Sequence, residues 1–390
     1  MKIGNSINGR DLNGEGAAPP VFSLPFGLLS VSAACRERFV VLVRTERTIF
    51  FKKVIPIGHF QVAVILIFLY IFITGFHDEG NLIATIIASR SLNLFLIFSI
   101  AFFSQFFGTF LLGTKVAEST VYGLFHIEQI RQNPKEIIAM VCAAVLGAIV
   151  WNMITWVSKI PSSSSHAIIG GLMGPFVMNF GFSVINVKGI LFNILLPLFT
   201  SPLIGFCFGY FLFKINKILI EGRGVKIKKM FQGTQISTCV LINAFQGSND
   251  AQKGIAVLAL LLIADKGMKE FFIPRYVMFL AALTIALGLI LGGMKMIKSV
   301  GTKIYNVKSL HSMSTQVSSL LVIAPASIFG FPVSGTQIVN SSIFGVGAAD
   351  RPNAVGWIYA KDMLVAWLVT IPSSFLVSAG FYWIFRRIGG

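Results

Sequence analysis

The sequence predicts an all-α polytopic membrane protein, made of two inverted repeats whose broken or re-entrant helices meet at the membrane midplane. Three observations predict it: a composition too apolar for water, a succession of apolar runs of uneven length, and polar motifs that recur in the second half. Of 390 residues, 55% are hydrophobic, 37 are Phe and only 12% are charged. Mean hydropathy is +0.80. Soluble domains carry about 25% charged residues, so this chain has too few polar residues to cover a soluble fold. Disorder is excluded, because it requires low hydrophobicity. A fibrous repeat is excluded, because Gly and Pro show no short period. The 32 basic residues against 15 acidic ones give a net charge of +17. In a membrane protein this excess marks lysine-rich cytoplasmic loops, not a nucleic-acid partner. With so few acids, any carboxylate inside an apolar run needs a reason. Cys35, Cys142, Cys207 and Cys239 are scattered, with neither a CxxC nor clustered His, so they build no metal site and no disulfide framework.

In chain order, residues 1–56 form an atypical extension. Val21–Ala34 is apolar but short for a span and is interrupted by Pro25. Asp11 and Glu15 stand where a signal peptide would be basic. Arg36, Arg38, Arg44, Arg47, Lys52 and Lys53 place the rest at a surface. From Ile57 the apolar runs are Ile57–Gly75, Leu92–Gly113, Ile137–Val157, Ala167–Phe180, Ile190–Phe213, Thr234–Ala264, Phe271–Met294, Ser318–Phe331, Ile338–Ala349 and Val355–Phe385. Thr234–Ala264 would be roughly 46 Å long as one helix, against a hydrocarbon core of about 30 Å. The polar knot Gln246-Gly247-Ser248-Asn249-Asp250 sits in its middle, which predicts a broken helix or a hairpin there. Ala167–Phe180 and Ile338–Ala349 are too short to cross alone. Each follows a Pro/Ser-rich turn, so both are expected to be half-helices entering part-way.

Lys214–Lys229, with six basic residues and the lone acid Glu221, is the expected cytoplasmic linker. It separates a first transmembrane repeat, 57–213, from a second, 230–390. Two motif pairs match across it. Phe76-His77-Asp78-Glu79-Gly80-Asn81 pairs with Phe245-Gln246-Gly247-Ser248-Asn249-Asp250; setting Asn81 on Asn249 gives an offset of 168. Pro161–His166 pairs with Pro332–Gln337 at offset 171, and Gly174 then falls on Gly345. Duplicated halves with interrupted helices at corresponding places point to a transporter's midplane substrate site.

On these motifs the chain from Ile57 to the C-terminus resembles the inorganic phosphate transporter (PiT) family. The family's FHD-x-x-N and GSND signatures appear at Phe76–Asn81 and Gly247–Asp250, and its P-x-S-x-[ST] turns at Pro161–Ser165 and Pro332–Thr336. Asn249–Gly254 is most similar to the bacterial low-affinity Pit proteins. Two residues depart from the pattern: Leu82 stands where many members repeat the Asp of the second knot, and Glu79 stands where a small residue is usual. The resemblance implies a multi-pass protein of the bacterial inner membrane and a homodimer. It implies a secondary active carrier that moves inorganic phosphate, alone or as a metal–phosphate complex, by symport with a cation, H+ ahead of Na+. No cofactor and no resident metal are expected.

The motifs suit that chemistry. An anion at the midplane needs donors, and half-helix N-termini offer free N–H groups and the positive end of a dipole. Pro161 and Pro332 fit helix starts. Ser163, Ser164, Ser165, Ser334 and Thr336 add hydroxyls that donate to an anion or cap the helix. Asp78 and Asp250 can accept from the P–OH of a protonated phosphate, ligate a cation, or carry a coupled proton. Asn81 and Asn249 both donate and accept. These residues are the candidate substrate site, and Asp78, Asp250 and Lys253 are the candidate ion-coupling set. Lys253 lies at i,i+3 from Asp250, where the two interact. Glu79 is expected at the entrance vestibule or on a cation. His166 matches Gln337, so a hydrogen-bonding role fits it better than a proton relay. A sulfate permease on the same fold is the alternative reading. An intramembrane serine hydrolase using Ser163 or Ser165, His166 and Asp78 is more remote. It needs one activated serine–base pair, whereas this chain has two copies of the motif and only one His. No Walker GxxxxGK[ST] is present to support ATP-driven pumping.

Overall fold

The computed structural model describes residues 58–130, 134–158, 162–220, 226–266 and 271–389. The predicted extension 1–56 lies outside them, as does Pro161 of the first serine turn. Among the described residues the regular structure is helical, with one isolated β-bridge between Phe125 and Ile185. The first half contains α1 (His59–His77), α2 (Gly80–Ala88), α3 (Leu94–Leu111), α4 (Lys115–Leu124), α5 (Ile127–Ile130), α6 (Pro134–Val157), α7 (Ser164–Phe180) and α8 (Leu196–Ile220). The second contains α9 (Lys226–Lys266), α10 (Arg275–Lys303), α11 (Ser309–Phe329), α12 (Gly335–Asp350) and α13 (Trp357–Gly389). Among the described residues, seven helical segments are long and apolar enough to cross a membrane. Their outer faces expose large apolar side chains such as Phe95, Leu203 and Ile358, which suits lipid and not water.

Local sequence sets the helix ends. The Asn93 side chain accepts from the Phe95 N–H and starts α3. Gly330 adopts the left-handed region at φ 84° and closes α11. There the Phe331 N–H donates to the Ala326 carbonyl at 2.8 Å, which satisfies an end carbonyl. Pro202 and Pro372 lie inside α8 and α13, the last helix of each half.

The helix pairs come in twos. α1 packs on α10 as α9 packs on α3; α6 packs on α1 as α11 packs on α9; α7 packs on α13 as α12 packs on α8. Small residues let the backbones close. A Cβ on Gly288 would strike the Phe72 carbonyl, and one on Gly108 would strike the Ala244 carbonyl. Likewise a Cβ on Gly174 would strike the Phe375 carbonyl and one on Gly345 the Phe206 carbonyl.

Four expectations change. The Thr234–Ala264 segment is neither broken nor a hairpin: α9 runs unbroken for 41 residues through the second knot. Asn249 and Lys253 are satisfied sideways by α11, its loop and the first serine turn, and the helix continues through the knot. The first knot does interrupt its helix, with a tight turn at Asp78-Glu79 where the Asn81 N–H donates to the Asp78 carbonyl. Pro332 is not the first residue of its helix; it lies two residues ahead of the cap Ser334. The linker is shorter than 214–229, because α8 extends to Ile220 and α9 resumes at Lys226. Finally, the repeat register at the knots is 172, not 168. Phe72 and Ala244 make the equivalent glycine contacts, and they lie 172 apart. On this register Asp78 matches Asp250, Asn81 matches Lys253, and Glu79 matches Ala251.

Candidate functional site

The two short helices, α7 and α12, begin inside the protein and meet cap to cap. The Ser163 hydroxyl donates to the Ser334 hydroxyl at 3.0 Å across 171 residues of sequence. One turn further in, His166 Nδ1 and Gln337 Nε2 lie 3.4 Å apart, again 171 residues apart in sequence. Ser162 to His166 and Ser334 to Gln337 are all buried. Ser163 also caps its own helix by accepting from the His166 N–H at 3.4 Å, while Ser334 makes no side-chain cap bond. Two helix N-termini therefore converge on one point, each with N–H groups and a positive dipole end.

The knots of α1/α2 and α9 flank that point. Asp78 accepts from the Ser164 backbone N–H at 3.2 Å and from the Ser164 hydroxyl. His77 Nδ1 lies 2.6 Å from the other Asp78 oxygen. Tyr70 donates its phenol to the Ser164 carbonyl at 3.0 Å. Asn81 donates to the Thr336 hydroxyl at 3.1 Å and to the Asp78 carbonyl. On the other side Lys253, 1% exposed, pairs with Asp250 and donates at 2.5 Å to both the Ser165 hydroxyl and the Val333 carbonyl. The bonds Asn81 to Thr336 and Lys253 to Ser165 are thus the same bond in the two halves, each knot reaching the other half's serine turn. The i,i+3 spacing of Asp250 and Lys253 delivers the expected ion pair.

All ten predicted site residues lie in this cluster, but with unequal freedom. The Asn249 amide is consumed. It donates to the Ser327 hydroxyl at 3.2 Å and the Phe331 carbonyl at 2.9 Å, and it accepts from the Val333 N–H. It therefore holds the second turn in place rather than facing the centre. Glu79 is not in a vestibule. It is fully buried, its two oxygens meet no donor, and the Asp250 carboxyl lies within hydrogen-bond reach. Asn81 Oδ1, His166 Nε2 and the amides of Gln105 and Gln246 are also buried without a protein partner. Such groups are costly to leave unpaired, which marks the centre as a place where water, ion or ligand completes the bonding. Gln105 and Tyr70 went unnoticed in the sequence, although a Gln in the run Phe-Phe-Ser-Gln-Phe-Phe was a visible signal.

At the far ends of the short helices the halves differ. Asn179, near the end of α7, donates to Glu136 at 2.9 Å and accepts from the Tyr382 phenol at 2.9 Å. Asp350, the last residue of α12, accepts from the Tyr305 phenol at 2.8 Å and lies 3.1 Å from His311 Nε2 and 3.4 Å from Lys217. Burial works against the Asp350 charge. Even so, hydrogen bonds from Tyr305 and Lys217 and the adjacent His311 hold its carboxyl below the usual carboxylate range. Burial and the Asp350 carboxylate push the Tyr305 phenol up to about 12.

This fold and site define a duplicated, multi-pass membrane carrier built around a pair of helix N-termini. The family model for "Phosphate transporter family" matches residues 74–227 and again 221–378. Relatives include a probable low-affinity inorganic phosphate transporter of Bacillus subtilis, 36% identical over 81% of this chain and 94% of its own. One of the same description from Rhizobium meliloti is 35% identical over 79% of this chain and 91% of its own. A solved structure titled "The sodium-dependent phosphate transporter" superposes with a TM-score of 0.74 at 24% identity, covering 85% of this chain and 99% of that one. The chain belongs to the phosphate transporter family. It is a multi-pass integral membrane protein and a carrier, not an enzyme.

Proposed function

We propose that this chain carries inorganic phosphate across a bacterial cytoplasmic membrane by symport with a cation, and that the cation is H+. The observation that carries the reading is the meeting of two helix N-termini at Ser163 and Ser334. An anion held there gains N–H donors and two dipole ends. The ring of Asp78, Asn81, Ser164, Ser165, Asp250 and Thr336 adds acceptors for a P–OH proton. Sulfate has no such proton at neutral pH, so acceptors at the centre favour phosphate over sulfate. A metal–phosphate complex, with less negative charge, also suits a centre lined by carboxylates. Lys253 supports proton over sodium coupling, because its ammonium already occupies the oxygen cage of Asp250, Ser165 and Val333.

Alternating access follows from two repeats of opposite orientation, 57–213 and 230–390, on either side of the basic stretch 214–229, whose two ends belong to α8 and α9. The end contacts of the short helices support the inversion. Asp350 is tied to Lys217, beside the linker. Asn179 is tied to Glu136 at the start of α6 and to Tyr382 near the other end of α13. A homodimer belongs to the same reading. The relatives' descriptions as low-affinity phosphate transporters support the substrate. The sodium-dependent title of the solved neighbour favours Na+ as the second reading.

Uptake of radiolabelled phosphate by proteoliposomes decides. The expected result is accumulation driven by an inward proton gradient, abolished by an uncoupler, unaffected by sodium removal and not competed by excess sulfate. Uptake that needs sodium overturns the proton assignment, and sulfate competition overturns the substrate.

A further inference from the structure

Two residues break the symmetry of the centre, and they carry opposite charges. On the register of 172, Asn81 is matched by Lys253 and Ala251 by Glu79. Each half thus holds one residue of the pair Asp78 and Asp250. The first half adds a carboxyl, and the second adds an ammonium. Both are fully buried. Asp78 is satisfied by His77 and Ser164, and Asp250 by Lys253. Glu79 alone has two oxygens with no donor, beside a second carboxyl. Three carboxylates face one ammonium here, and an arriving phosphate adds further negative charge. Lys253 is tethered and cannot travel with the substrate. The missing bond between Glu79 and Asp250 is one that a single proton completes.

We propose that Glu79 takes up and releases the coupled proton. This rests on the phosphate-symport reading above. A proton enters from water on one side and binds a Glu79 oxygen, whose O–H then donates to the Asp250 carboxylate. After the site opens to the other side the same proton leaves to water. One proton enters and one leaves, and no bond within phosphate changes. The charged groups acting on Glu79 are Asp78, from the turn after α1, and Asp250 and Lys253 from α9; Tyr70 and His77 of α1 and His166 of α7 stand one step further out, next to these three. α11 and α12 face this region with the neutral Gln316 and Thr336. α10 carries Arg275 and Tyr276 at its start and Lys295, Lys298 and Lys303 in its last third.

The test uses the full chain in proteoliposomes and two assays. One is phosphate–phosphate exchange without any gradient, and the other is net uptake driven by a pH gradient. Glu79→Gln should keep exchange while pH-driven uptake falls at least about 10-fold. Glu79→Asp should restore the drive with a displaced pH profile. Glu79→Gln uptake with the wild-type pH dependence overturns the proposal. If Glu79→Gln does not fold, Glu79→Asp carries the test, and a pH profile unmoved from wild type overturns it. Wild-type protein that neither exchanges nor accumulates phosphate overturns instead the reading on which the proposal rests.

Discussion

The two half-sites share a backbone plan and differ in how it is charged. In the first half, Asp78 is bound by a serine turn of its own half, and the helix breaks at Asp78-Glu79. In the second, Asp250 is bound by a lysine one turn along an unbroken helix, and that lysine reaches across to the first half's Ser165. The difference teaches that the fold repeats geometry while the placement of charge is not repeated. One half holds its cation permanently as a side chain, and the other half leaves a carboxyl unpaired.

Removing Lys253 should break this comparison most severely. Lys253→Met leaves Asp250 and Glu79 buried without their cation, a loss of about 3–5 kcal/mol by analogy with broken buried pairs. Thermal unfolding in detergent should show a large drop in Tm, with phosphate uptake abolished. The matching change Asn81→Ala removes only neutral hydrogen bonds, about 0.5–1.5 kcal/mol each. Equal losses at the two positions would show that the register of 172 does not reflect equivalent roles.

Asp78→Asn and Asp250→Asn come next. Each removes charge-assisted hydrogen bonds worth about 1.5–3 kcal/mol, so phosphate uptake should fall by roughly 10- to 100-fold. Initial rates at several phosphate concentrations check this. Unchanged uptake in both variants would remove these residues from the site.

The repeat itself was legible because Pro, Ser, Asn and Asp stand out against apolar runs. Such residues are too costly in a membrane to occur in matching order by chance. The two short helices were legible for the same reason, from their length against the bilayer. The continuity of α9 was not, because sequence shows a polar knot but not the Ser327, Phe331 and Val333 groups from α11 and its loop that satisfy Asn249. The register failed for a related reason. Matching Asn with Asn was chemically natural, but the equivalent of Asn81 is a lysine, and only the bonds to Ser165 and Thr336 reveal it. Glu79 was misplaced because an acid beside a turn reads as exposed until the packing buries it.

The caps offer a finer comparison. Ser163 caps α7 and also meets Ser334, whereas Ser334 has only the bond across the centre. Ser163→Ala should therefore cost about 1 kcal/mol more stability than Ser334→Ala, read as the larger fall in Tm. Equal falls would mean that the shared bond outweighs the cap.

The smallest effect lies at the far ends of the short helices, where Asp350 faces Tyr305, His311 and Lys217 and the first half has Asn179 instead. The folded Asp350 carboxyl is held below its usual value of about 3.9. Its contribution is thus present at neutral pH and is lost as pH falls through the folded value. The Lys217 partner is half-exposed, so solvent screens the contact, and Asp350→Asn should cost about 1 kcal/mol or less. Wild type and Asp350→Asn should differ in Tm at pH 7, and the gap should close below about pH 4. A gap that persists in acid would assign the effect to the Tyr305 hydrogen bond alone. It would also make this end of α12 equivalent to the neutral Asn179–Tyr382 contact of α7.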